Sequence, residues 1–95
     1  MARKSLAEEL YEEAEEDAPG EEGGKWLLLY DFEGVKPGTK FYRNLARLCA
    51  LRGGTEIIQY SALLTGSRRI ATAMKNLAAH YGAKTTVFKV LETDL

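Results

Sequence analysis

The chain has 95 residues, 45% of them apolar and 28% charged. This fits one domain with a single modest core. The longest apolar run, Trp26 to Tyr30, falls far short of the roughly 20 residues of a membrane span, and no membrane partner is expected. The N-terminus is polar and acidic from Ser5 on, unlike a secretory or transit peptide. One cysteine excludes an intramolecular disulfide and a multi-cysteine zinc site, which makes the cytoplasm the expected compartment. With a single histidine beside it, most zinc hydrolase and Ser-His-Asp schemes are excluded too.

The net charge of −1 conceals a division. Residues 1–24 hold two basic and nine acidic side chains, net −7; residues 25–95 hold eleven basic and five acidic, net +6. An acidic arm therefore precedes a basic domain, and such asymmetry between segments points to nucleic acid.

In chain order, Ser5 with Glu8 three positions on predicts a capping box and a helix from Leu6 to about Asp17. Its apolar stripe is narrow (Leu6, Ala7, Leu10, Tyr11, Ala14), and its i,i+4 pairs Glu8–Glu12, Glu9–Glu13 and Glu12–Glu16 repel, so alone it is marginal. Ala18-Pro19-Gly20-Glu21-Glu22-Gly23-Gly24 reads as a flexible linker, dividing an arm, residues 1–24, from a domain, residues 25–95. Trp26-Leu27-Leu28-Leu29-Tyr30-Asp31-Phe32 is apolar on both faces until Asp31, which predicts a central strand covered by other elements.

Thr39 is the expected N-cap of an amphipathic helix over 40–52, with Phe41, Leu45, Leu48 and Cys49 along one side and Gly53-Gly54 at its end. Residues 55–65 have strand composition and read either as one bent strand or as two strands reversing near Gln59–Ala62. Ser67 caps a second helix with a stripe of Ile70, Met74, Leu77, Ala78 and Tyr81, closed by Gly82. Lys84 to Leu91 alternates like a strand with one solvated face. With right-handed crossovers the order gives an α+β, ferredoxin-like βαββαβ sandwich carrying an N-terminal acidic helical arm.

Two groups of residues hold the candidate chemistry. Asp31 ends an apolar strand, where a carboxylate is costly unless it is paired, metal-bound or at a solvated mouth; as a loop residue it would be an ordinary turn aspartate. A hard divalent cation would suit it, above all if a two-fold axis brought a second copy near. Lys40, Arg43 and Arg47 recur at i, i+3 and i+7 on one helix face, and Arg68 and Arg69 occupy the first turn of the next helix, where the dipole does not favour them. Together they suit backbone phosphates, which position a duplex without reading its sequence; otherwise they are ordinary solvated arginines and a lysine. Cys49 reads as a small buried hydrophobe, His80 as a helix C-terminal residue and Trp26 as core or interface.

Tyr30-Asp31-Phe32 closing the first strand, Arg43 in the next helix and Gln59-Tyr60-Ser61 beyond resemble the CRISPR-associated Cas-two family over residues 26–91. The resemblance implies a ferredoxin-like homodimer of CRISPR adaptation that partners the CRISPR integrase. It also implies a metal-dependent endonuclease function in which Asp31 is the catalytic and metal-binding residue, facing its symmetry mate with Mg2+ or Mn2+, with Tyr30, Phe32 and Arg43 as its neighbours. The 24-residue acidic arm departs from the family pattern.

The leading expectation is thus a homodimer that binds double-stranded DNA or RNA through backbone phosphates. The alternative is a non-enzymatic dimeric scaffold or regulatory protein of the same fold. An RNA-recognition motif shares the plan but needs an aromatic residue in the third strand, where Ala62-Leu63-Leu64-Thr65 has none.

Overall fold

Residues 4–14, 25–34, 38–59 and 61–90 are described by a computed structural model of the chain. Tyr60, Leu91 and residues 15–24, which hold the predicted end of the first helix and the 18–24 linker, lie outside these segments. The elements are α1 (Leu6–Glu13), β1 (Lys25–Asp31), α2 (Thr39–Ala50), β2 (Thr55–Gln59), β3 (Ala62–Thr65), α3 (Arg68–His80) and β4 (Lys84–Val90). The strands form one sheet in the order β2-β3-β1-β4, and every neighbouring pair is antiparallel. This is an α+β architecture with three helices, compatible with a small ferredoxin-like fold.

Segment 55–65 is two strands, not one bent strand. Thr55 pairs with Thr65 across the reversal, their hydroxyls 2.8 Å apart, and the register shifts between Ile57 and Gln59. β1 pairs with β3 on one side and, over its whole length from Lys25↔Val90 to Asp31↔Lys84, with β4 on the other.

β1 is central, yet its two faces differ. Leu28 and Tyr30 are buried in the main core beside Leu63, Phe41, Leu45, Leu48, Ile70, Met74 and Leu77. Leu29 and Asp31, which alternate with them, are exposed, so the expectation that both faces are covered is corrected. All three helices stack on the Leu28–Tyr30 side, α1 against α2 and α3 as an outer layer. Among the described residues no helix covers the opposite face.

α2 begins one residue away from the predicted cap. Gly38, in extended geometry, is the N-cap without a side-chain bond, and Thr39 is already helical. Phe41, Leu45 and Leu48 are buried as expected, but the same stripe includes Asn44. α3 follows its prediction: the Ser67 hydroxyl accepts from the Ile70 N–H at 3.2 Å, and Gly82 supplies the positive φ (86°) that ends the helix.

α1 has the predicted capping box, with the Ser5 hydroxyl accepting from the Glu8 N–H at 3.2 Å, and stops at Glu13. Ala7 is completely buried. Its N–H donates to Asn44 Oδ1 at 3.2 Å, while Asn44 Nδ2 donates to the Lys40 carbonyl and the Tyr81 hydroxyl at 3.0 and 3.3 Å. One amide thus ties three helical segments together. Asn44→Ala is expected to cost about 1–3 kcal/mol, since it strands the buried Ala7 N–H. Urea denaturation measures this, and a loss under about 0.5 kcal/mol would show that the amide is not a clamp.

Candidate nucleic-acid interface and carboxylate site

Asp31 stands at the end of β1 on the open face of the sheet, exposed, its Oδ1 accepting from the Glu33 N–H at 3.0 Å. That contact is the aspartate turn that starts the following loop. Lys84, its register partner on β4, bridges to Glu33 at 3.0 Å. Leu29, Tyr30, Glu33, Ser61, Lys84 and Thr86 line a depression of about 450 Å³ around the carboxylate. Among the described residues no group of three or more His, Cys, Asp or Glu side chains could hold a metal ion. Two exposed carboxylates, Asp31 accepting a hydrogen bond and Glu33 paired with Lys84, do not by themselves make a divalent-cation site; a second copy of the chain would have to complete it.

Tyr30 and Phe32, expected to support Asp31, belong to the opposite face. Tyr30 is 3% exposed and packs edge-on against Phe32 and Phe41, at centroid distances of 6.4 and 5.7 Å. Its hydroxyl has no hydrogen-bond partner among the described residues. Burial, with smaller contributions from Tyr42 and Cys49, pushes its pKa up from 10.0 to about 12. The phenol is favoured protonated in the fold, so its contribution is intact below pH 10 and is lost as pH rises toward 12. Tyr30→Phe should remove that part of the alkaline destabilisation and leave neutral-pH stability unchanged or slightly higher. Thermal melts at pH 7 and 11 test both points; an equal alkaline loss in the two proteins would refute the assignment.

Among the basic candidates, Lys40, Arg43 and Arg47 are all exposed along α2, and none has an ion-pair partner among the described residues. Neither α2 nor α3 contains an acidic residue. Arg68 is exposed at the start of α3, whereas Arg69 is half-buried against α1. Arg69 Nε donates to the Tyr11 carbonyl at 2.8 Å, and its guanidinium lies 4.0 Å above the Tyr11 ring. None of the five basic residues lines the Asp31 depression, so a single chain does not bring carboxylate and cations together.

Neither remaining candidate offers a nucleophile or an acid–base pair. Burial pushes the Cys49 thiol pKa up, away from the reactive thiolate, and His80 is exposed with its ring against Tyr81.

Sequence reasoning missed the open sheet face. Phe88, Leu27 and Leu64 align across β4, β1 and β3, followed by Thr86, Leu29 and Ala62. Phe88 is 48% and Leu29 43% exposed, while Leu64 and Ala62 are buried, so the open part of this face lies along β1 and β4. The signal was available: an all-apolar β1 demands cover on both faces, and the helices can reach only one.

No family model, no curated protein and no solved structure matches the chain. Among the described residues no helix is long and apolar enough to cross a membrane.

Proposed function

We propose that this protein binds the phosphate backbone of double-stranded nucleic acid as a homodimer with a ferredoxin-like βαββαβ fold. The observation that carries the reading is the row of Lys40, Arg43 and Arg47, exposed on a helix without acidic residues. Such cations attract phosphate independently of sequence and make affinity fall steeply with salt. Dimerisation is supported by the apolar open face. Four strands about 4.8 Å apart and up to seven residues long present a face of roughly 20 by 20 Å. Two such faces would bury about 800 Å² together, below the roughly 1,000 Å² of a stable interface, so the pairing is weak; a second copy would cover Leu29 and Phe88. A binding titration of a short duplex at two salt concentrations tests the function, and salt-independent or absent binding would leave a dimeric interaction scaffold instead.

One observation favours a second reading, Cas-two-like and nucleolytic. Asp31 shares the open face with Leu27 and Leu29, so dimerisation through that face would place both copies of Asp31 at the interface rim. If the two carboxylates held Mg2+ or Mn2+, the ion would supply a polarised water for phosphodiester hydrolysis. Asp31→Asn should then abolish metal-dependent cleavage while preserving the fold and duplex binding. Cleavage at the full rate in that variant would remove Asp31 from the reaction.

A further inference from the structure

The three helices divide their charge completely. α1 carries Glu8, Glu9, Glu12 and Glu13 and no basic residue. α2 carries Lys40, Arg43 and Arg47, and α3 carries Arg68, Arg69 and Lys75, with no acidic residue in either. α1 is packed against both.

Its seat is specific at two points. Beneath it, the fully buried Ala7 meets Asn44; at its C-terminal half, Tyr11 is held by Arg69 through both carbonyl and ring. With about 100° of rotation per residue, Lys40 and Arg47 fall within roughly 60° of Asn44 around α2, so the basic row borders the seat. Glu9, Glu12 and Glu13 are exposed on the seated helix. A helix of eight residues is unstable alone in water, and four glutamates make it worse. α1 therefore owes its helical state to the seat, where Ala7 and Ala14 are buried and Leu6, Leu10 and Tyr11 pack against the core.

We propose that α1 is a displaceable acidic cover on the phosphate-binding face, so that α1 and nucleic acid compete for the surface formed by α2 and α3. This rests on the phosphate-backbone reading above. Seated, α1 occupies Arg69, and its Glu13 lines one depression with Arg68. Displaced, it yields Arg69 to the same anionic ligand that the exposed row attracts. Because the cover is tethered to the chain, it competes at an effective concentration in the millimolar range.

The 95-residue chain and two variants decide the matter, read by duplex binding and by amide exchange of α1. In Ala7→Asp the seat cannot take the larger charged group, so α1 is released; Glu9→Gln with Glu13→Gln alters only exposed positions and keeps the fold. Ala7→Asp should bind duplex about tenfold more tightly than wild type at about 50 mM salt, with the gap closing by about 300 mM as both interactions are screened. The Gln pair should shift affinity in the same direction, and duplex should speed α1 exchange in the wild type. If Ala7→Asp frees α1 yet binds as wild type does, or duplex leaves α1 protected, the cover is refuted. Should Ala7→Asp fail to fold, unchanged affinity in the Gln pair refutes it equally. Absence of binding by all three proteins would instead overturn the phosphate-backbone reading and the cover with it.

Discussion

Replacing Arg43 and Arg47 together by alanine is expected to weaken duplex binding by about tenfold to a hundredfold at low salt and to lower the salt slope by about two units. Each guanidinium that meets a phosphate releases close to one counterion, so a slope change counts contacts directly. Both side chains are exposed, so stability should change by no more than about 0.5 kcal/mol per site. The loss should be uniform across duplex sequences, because backbone contacts carry no base information. A double variant that binds with the wild-type slope would place the phosphate contacts elsewhere. A large fall in melting temperature would mean that the arginines support the fold instead.

The second large effect concerns assembly. Leu29→Glu with Phe88→Glu should convert a dimer into single chains at every concentration accessible to sedimentation. An interface this small has little surplus free energy, and placing two carboxylates per chain within it costs several kcal/mol. In the single chain both positions are already about half exposed, so far-UV circular dichroism should be unchanged. If the doubly charged variant still sediments as a dimer, the copies meet through another surface. Duplex binding by the separated chains should also weaken, since one basic row then acts without its twin.

Much of the fold was legible because local signals agreed with the global one. Ser67 and Gly82 bracket α3 where capping chemistry puts them, and the Ser5–Glu8 box opens α1. The two-strand nature of 55–65 was not legible, because the segment has no Asn-Gly or Asp-Gly turn and its pairing is settled by Thr65 meeting both Thr55 and Trp26 across the sheet. The seat of α1 escaped for a related reason. Asn44 occupies an apolar-stripe position between Phe41 and Leu48, and a polar residue there signals a buried bond whose partner, Ala7, lies 37 residues away.

At the candidate site, the spacing of Lys40, Arg43 and Arg47 was enough to predict a shared exposed face. The fate of Arg69 was not, because its partner Tyr11 belongs to the far end of the chain. The faces of β1 were misjudged since periodicity reports that a face is apolar, not what covers it.

The position of β1 between β3 and β4 governs how the chain acquires its structure. Trp26 to Tyr30 emerge before their partners, which span 61–65 and 84–90. At about 5–20 residues per second, the most apolar segment of the molecule waits several seconds with both hydrogen-bonding edges bare. The native pairing is thus non-local by construction, and the loop entropy of closing β1 onto β4 must be met before any of those seven register pairs forms. Folding slower than that of a helical bundle of this size follows from the strand order itself.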